Sequence, residues 1–240
     1  MTAWMHLFLD TPTESFDEAV GFWSAVTGGT PSARRGEHDQ FVTLVPASGA
    51  PWVKLQAVDG PPRVHLDLDT PDPSAAAARA LGLGARDAWT YDGVPVQRSP
   101  GGLLLCHTVA EVADPVLERH PYTVLDQVCL DIPAVQWDDE VAFWSRLTGR
   151  EASAGAMAEF LRLESDGRPR ILLQRLEEET GEVSAHPDLA CRHREADLHL
   201  HVGLGALHVD EFDDWSVLQA PGGQVYCLTD RDPRTGRLGS

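Results

Sequence analysis

Alternating apolar and polar residues predict several short strands. Residues 64–69 are the clearest case, because valine and leucine occupy one set of alternate positions and His65, Asp67 and Asp69 occupy the other. Successive side chains of a strand point to opposite faces, so one face is apolar and the other polar. The same alternation predicts strands over 5–10 and 124–132. We expect the apolar face to pack on helices and the polar face to line a curved sheet where a ligand would lie.

Helical periodicity predicts an amphipathic helix over 14–27, ended by Gly28, and a counterpart over 138–148. An alanine-rich segment, 74–81, predicts another helix, with Ser74 as its N-cap. Further strands are predicted over 41–45, 52–57, 94–98, 103–109, 160–163 and 170–176.

The chain repeats itself. Phe22-Trp23-Ser24 recurs as Phe143-Trp144-Ser145, and Pro100-Gly101-Gly102 and Cys106 recur at the same offset of 121 residues. An offset held by tryptophan, proline, glycine and cysteine together indicates two duplicated domains. We predict a first copy over 1–114, a linker over 115–121, a second copy over 122–232 and a tail over 233–240.

Composition narrows the possible partners. Nineteen basic and 37 acidic residues give a formal charge of −18, which argues against nucleic acid and anionic membranes and would attract a cationic small molecule. No stretch has the apolar length of a membrane span, and residues 1–10 lack the basic region of a signal peptide. Cys106, Cys129, Cys191 and Cys227 have no disulfide-framework spacing, so we expect a reduced, cytoplasmic protein.

The element order, the Phe-Trp pair near the end of the first helix and the Pro-Gly-Gly hairpin resemble the vicinal oxygen chelate (VOC) superfamily. The closest resemblance is to tandem glyoxalase-like, bleomycin-resistance-like and dioxygenase-like domain proteins of the actinobacterial type. This resemblance implies an α+β fold of two tandem domains. Each would consist of paired βαβββ motifs forming a curved mixed sheet around a cavity. It also implies pseudo-twofold packing of the two copies, either in a monomer or within a homodimer.

In metal-dependent members of that superfamily, inward-facing His or Gln, Glu, His and Glu on four strands hold a divalent ion. The resemblance carries these positions onto His6 and Gln127, Lys54 or Gln56 and Leu172 or Gln174, His65 and His186, and Cys106 and Cys227. Neither copy has a glutamate at these positions, so the chain departs from the usual chelate.

Two interpretations of the first copy remain open. His6, His65 and Cys106 form a zinc site with an open position for water, or the histidines are satisfied by hydrogen bonds and Cys106 is a buried small hydrophobe. Asp67 and Asp188 are candidate carboxylate ligands of an iron site. We favour a role in orienting the polar network or in a salt bridge with an arginine, since neighbouring residues on one strand face are expected to diverge.

Two aromatic residues precede the last hairpin in each copy, Trp89 and Tyr91 in the first and Phe212 and Trp215 in the second. They either stack on a flat or cationic ligand at the mouth of a cavity or close the sheet as core. Lys54, the only lysine, is expected to be solvated or salt-bridged, and His199 and His201 are expected at the surface.

Two functions therefore compete, and no catalytic residue is assigned. The preferred one is a binding module that sequesters a small cationic or aromatic molecule without a metal. The alternative is a lyase, isomerase or dioxygenase that uses a divalent metal, zinc or iron, on a vicinal-oxygen substrate. In both, the predicted cavity residues are His6, Lys54, Gln56, His65, Asp67, Trp89, Tyr91, Cys106, Gln127, Gln174, His186, Asp188, Phe212, Trp215 and Cys227.

Overall fold

The computed structural model of the protein describes residues 4–110, 115–119, 122–163 and 167–238. Within these residues each repeat forms one eight-stranded mixed sheet and two α-helices. The predicted α+β class, with tandem sheet domains, is therefore confirmed. No helix in the described ranges is long and apolar enough to cross a membrane.

The first repeat follows the predicted order, with two additional strands, a short one after its first helix and another after its second helix. Its elements are β1 (Trp4–Pro12), α1 (Phe16–Thr27), β2 (Thr30–Pro31), β3 (Phe41–Val45), β4 (Val53–Val58), β5 (Arg63–Thr70), α2 (Pro73–Gly82), β6 (Arg86–Tyr91), β7 (Val94–Arg98) and β8 (Leu104–Val109). The strands lie in the order β2-β3-β4-β1-β5-β8-β7-β6. The pairing of β5 with β8 is parallel and sets Asp67 opposite Cys106.

The second repeat reproduces this architecture. Its elements are β9 (Thr123–Ile132), α3 (Trp137–Thr148), β10 (Ala152–Ala154), β11 (Phe160–Leu163), β12 (Arg170–Arg175), β13 (Ser184–Cys191), α4 (Arg194–Gly203), β14 (Leu207–Glu211), β15 (Trp215–Gln219) and β16 (Val225–Thr229). The strand order is β10-β11-β12-β9-β13-β16-β15-β14. Here β13 and β16 are parallel, with Asp188 opposite Cys227.

The ends of two helices, α1 and α2, can be compared with the predicted ones. A 3-10 turn over Thr13–Ser15 precedes α1, which therefore begins later than predicted. Gly28 ends α1 with a φ of 68°, a left-handed conformation that favours glycine. The prediction of Ser74 as the N-cap of α2 was wrong. Asp72 caps the helix by accepting a hydrogen bond from the Ala75 N–H at 3.0 Å.

Spatial proximity divides the chain into two compact units, each built from parts of both repeats. The first unit contains Met1–Leu7, His65–Val116 and Val128–Ala185. The second unit contains Phe8–Val64, Leu117–Gln127 and His186–Ser240.

In the first unit, a buried carboxyl group of α3 holds the Pro-Gly-Gly turn of the first repeat. The Glu140 side chain is fully buried, its Oε1 accepts a hydrogen bond from the Gly101 N–H at 2.6 Å, and its Oε2 accepts one from Trp144 Nε1 at 2.6 Å. Burial raises the pKa of Glu140, and the Gly101 and Trp144 hydrogen bonds partly offset this shift. Two donors thus converge on one acceptor group.

We expect Glu140→Gln to lower the free energy of unfolding by roughly 1–3 kcal/mol, because an amide places an N–H group against one of these two donors. Urea unfolding at pH 7 measures the change. Asp139→Asn, on the exposed neighbour, is the matched control and should change stability by less than about 0.5 kcal/mol. Equal effects of the two substitutions would contradict this role of Glu140.

Two of the buried histidines, His107 in the first repeat and His201 of α4 in the second, each have a polar partner. In the first repeat, His107 Nε2 lies 3.1 Å from Gln97 Oε1, and the equivalent residues of the second repeat are Leu228 and Leu218. Burial lowers the pKa of His107 to about 4. The histidine is therefore uncharged near neutral pH in the folded protein.

In the second repeat, the prediction that His201 lies at the surface was wrong. His201 is 1% exposed, and its Nδ1 lies 2.9 Å from the Tyr226 hydroxyl. Its ring also packs edge-on against Phe22. Burial lowers the pKa of His201 to about 4, despite the opposing charge of Asp197.

These two histidines should make the fold acid-sensitive. Between pH 6.5 and about 4 the unfolded chain protonates them and the folded chain does not, so stability falls as pH decreases. We expect each histidine to account for roughly 2–3 kcal/mol of the loss between pH 7 and pH 4.5. Urea unfolding of the double variant His107→Leu/Gln97→Leu, which copies the second repeat, should show a smaller loss. An unchanged loss would contradict the assignment to His107.

Candidate metal site and ligand cavities

Alternate residues of β5 place three polar side chains on one face of the first sheet, as the pattern predicts. His65 and Asp67 are each 7% exposed, and His65 Nε2 lies 3.6 Å from Asp67 Oδ1. The parallel register places half-buried Cys106 of β8 directly across from Asp67. We expected adjacent side chains on this face to diverge, which was wrong here because the long imidazole reaches along the strand to the carboxylate.

These three side chains form a group suited to a divalent ion. One ligand atom from each of His65, Asp67 and Cys106 lies within 4.8 Å of the other two. With metal–ligand bonds of about 2.0–2.3 Å, the ligand atoms of one tetrahedral ion lie roughly 3.3–3.8 Å apart, so these side chains would close by up to about 1.5 Å to hold one ion. Asp67 Oδ1 is buried and receives no hydrogen bond from the described residues. A nitrogen, an oxygen and a sulfur donor suit zinc-like ions better than magnesium or calcium.

His6 makes a side-chain hydrogen bond, which is the contact that the second of the two interpretations describes. His6 Nε2 lies 3.2 Å from Asp69 Oδ2, and Thr108 donates a hydrogen bond to Asp69 Oδ1 at 2.6 Å. The convergent donor group thus contains Asp67 where the sequence analysis placed His6. His6, Asp69 and Thr108 form a second polar set on the same sheet.

On β4, Lys54 and Gln56 are half-buried. Lys54 Nζ lies 5.4 Å from the centre of the Phe8 ring, which is a cation–π contact. Phe8 lies two residues after His6 in β1, on the same face of the strand. This contact differs from the solvated or salt-bridged lysine that we expected. Gln56 lies opposite Phe41 of the neighbouring strand β3.

In the second unit, Asp188 has protein partners of its own. Gln127 Nε2 donates to Asp188 Oδ2 at 2.6 Å, and His186 Nε2 lies 3.3 Å from Oδ1. Burial alone would raise the pKa of Asp188. The hydrogen bond and charge of His186, the charge of Arg231 and the Gln127 hydrogen bond outweigh burial and lower the pKa. These protein partners therefore favour the ionised form of Asp188.

Arg231 was missed by the sequence analysis. Its guanidinium lies 2.8 Å from Asp126 Oδ1, while Arg119 lies 2.7 Å from Oδ2 of the same fully buried carboxylate. The available signal was that Asp126 occupies one of the alternate positions of β9 that are otherwise apolar, such as Val124 and Val128, and a buried carboxylate requires a cationic partner. The first repeat has Met5 and Ala110 at the positions of Asp126 and Arg231.

The remaining predicted cavity residues lie in different settings. Gln174 Oε1 accepts a 3.7 Å contact from the Cys129 thiol, and Cys227 is 6% exposed. Phe212 and Trp215 stack with ring centres 4.7 Å apart. Trp89 and Tyr91 are 47% and 44% exposed, which does not fit a core role for these two.

The sheet order, the parallel pairing and the polar strand faces define a tandem vicinal oxygen chelate protein. Residues 6–108 and 127–229 each match the Glyoxalase-like domain family, and the chain belongs to that family. No curated protein matches the chain.

Three solved structures illustrate the shared fold. The Mn(II)-bound glyoxalase from Novosphingobium aromaticivorans is 20% identical with a TM-score of 0.64, covering 99% of this chain and 86% of its own. The 2,2′,3-trihydroxybiphenyl 1,2-dioxygenase from Sphingomonas wittichii is 14% identical with a TM-score of 0.64, covering 99% and 93%. A 4-hydroxymandelate synthase mutant from Streptomyces coelicolor is 13% identical with a TM-score of 0.63, covering 100% and 95%. At these identities the likeness concerns the fold.

We expect Gln127→Leu to raise the pKa of Asp188, because the substitution removes a hydrogen bond to the ionised form. Carbon-detected NMR titration of the carboxyl group measures this directly. Asp131, which shares a strand with Gln127, serves as the internal reference. An unchanged Asp188 titration would mean that the hydrogen bond does not hold the carboxylate ionised.

Proposed function

We propose that the chain is a metal-dependent member of the Glyoxalase-like domain family. In this proposal His65, Asp67 and Cys106 hold one divalent ion, with zinc or iron as the first candidates. The observation that carries the proposal is the convergence of these three donors around a buried Asp67 oxygen that accepts no hydrogen bond from the described part of the chain. The Mn(II) in the similarly folded glyoxalase supports it as an analogy.

The reaction class is a lyase, isomerase or dioxygenase reaction on a small oxygen-bearing substrate. A divalent ion in such a site polarises a substrate oxygen and stabilises negative charge that develops on it. In this proposal, residues of the same sheet hold the neighbouring polar side chains in fixed orientations. Asp69 is fixed by Thr108 and in turn fixes the His6 ring through Nε2. A carboxylate only accepts hydrogen bonds, so the His6 ring makes this contact through an Nε2–H group.

A second candidate function is metal-free binding of a small molecule in the second repeat. The observation that favours it is the set of protein partners around Asp188, which supply the hydrogen bond and positive charge that an ion would otherwise supply. The two repeats would then have divided roles, with metal in the first and ligand binding in the second. The four cysteines form no disulfide bond within the described residues, and we infer a reducing, cytoplasmic setting.

Metal content tests the proposal. Purified protein is loaded separately with Zn, Fe, Mn, Ni and Co, desalted and analysed for metal per chain. We expect about one equivalent of one metal to be retained, and to be lost in His65→Ala, Asp67→Asn and Cys106→Ala, since each removes one of three ligands.

The matched control is His186→Ala, at the equivalent position in the second repeat, which should retain the ion. Circular dichroism and urea unfolding confirm that each variant is folded. No retained metal, or equal loss in His186→Ala, would overturn the proposal for the first repeat.

A further inference from the structure

The second unit contains a cavity that the proposed function does not use. It has a volume of about 380 Å³ and is formed by the end of α1, the loop after β3, the start of β9 and α4. Volumes of about 300–1,000 Å³ are typical of small-molecule sites. The cavity is lined entirely by residues of the second unit.

Its walls are largely apolar and well fixed. Leu44, Trp52 and Leu125 are 3–4% exposed, and Val26 is 8% exposed. Trp52 Nε1 donates to the Leu125 carbonyl at 3.2 Å, so the indole is held in place and its polar atom is satisfied. An apolar or aromatic group can therefore pack here without displacing a hydrogen bond.

The charged lining is acidic. Glu118 and Asp197 supply carboxylates, and the lining contains no lysine or arginine among the described residues. Asp197 is oriented by a 2.6 Å hydrogen bond from the Thr123 hydroxyl, and Glu118 accepts one from Ser48. Because His201 is held uncharged by burial, it does not balance them. The cavity therefore presents negative charge beside an apolar wall.

The equivalent place in the first unit carries its own cation. Arg79 of α2 lines a cavity of about 310 Å³ there and donates a hydrogen bond to the Arg146 carbonyl. The residue equivalent to Arg79 in α4 is Leu200, which is 54% exposed, and the residue equivalent to Asp197 in α2 is Ala76. The second unit thus lacks the guanidinium that the first unit has at this place, and it has a carboxylate where the first unit has a methyl group.

We propose that this cavity is a binding site for a small amphipathic cation, namely a protonated amine on an aromatic or branched apolar body. The ammonium group lies near Asp197 and Glu118, and the apolar body packs on Trp52 and Leu44. Charge complementarity selects the amine, and the apolar wall selects the body. The site is independent of the metal ligands proposed above.

The test uses 2-phenylethylamine as the probe and the indole N–H signals of the seven tryptophans as the NMR readout, with Trp52→Phe identifying the Trp52 signal. We expect a saturable shift of the Trp52 signal. Neutral 2-phenylethanol and anionic 3-phenylpropionate should bind on the order of tenfold more weakly or not at all, since they lack the charge partner. Asp197→Asn should weaken amine binding on the order of tenfold and keep the Thr123 hydrogen bond.

A second variant places an arginine at position 200, which is equivalent to Arg79 of the first unit. Leu200→Arg should abolish amine binding, because the guanidinium meets Asp197 as the ligand would. Val202→Arg, on an exposed position of the same helix, adds the same charge and should bind the amine with unchanged affinity at 0.15 M salt.

Equal binding of the three probes, no Trp52 shift, or unaffected binding in both Asp197→Asn and Leu200→Arg would overturn the proposal. Metal content measured on Leu200→Arg should match that of the unchanged chain. Failure of this site is therefore distinguishable from failure of the metal site.

Discussion

The parallel pairing of β5 with β8 is the constraint on which the first repeat depends. Its register sets Asp67 opposite Cys106, so both polar side chains share a sheet face. The same register sends Leu66 and Leu105, which are fully buried, to the other face. A slip of one residue would exchange the two faces along the whole strand. The core and the candidate chemistry are therefore fixed by the same set of backbone hydrogen bonds.

This dependence explains which features the two repeats share and which they do not. The register recurs in β13 and β16, where Asp188 lies opposite Cys227. A change of register would disrupt every buried residue of both strands, whereas exchange of one polar side chain disturbs only its partners. The repeats therefore keep one backbone while the partners of the central aspartate differ, with Gln127 and Arg231 beside Asp188 alone.

The sequence was sufficient to predict the two sheets, because a fixed offset and a two-residue period depend only on positions along the chain. It was insufficient for contacts between distant segments. The burial of His201 depends on Phe22 and Tyr226, and no local window contains them. Alternation likewise identified the polar face of β5, but not that Asp67 would approach His65 or that His6 would contact Asp69 instead.

The negative net charge makes the partners of each buried carboxylate important. A chain with a formal charge of −18 that buries carboxylates must supply each with donors or positive charge. Glu140 receives two N–H groups, and Asp126 lies between two arginines. Asp67 instead has an imidazole at 3.6 Å and a nearby thiol, neither of which is a permanent cation. In the proposed function, a divalent ion supplies positive charge to this group of donors.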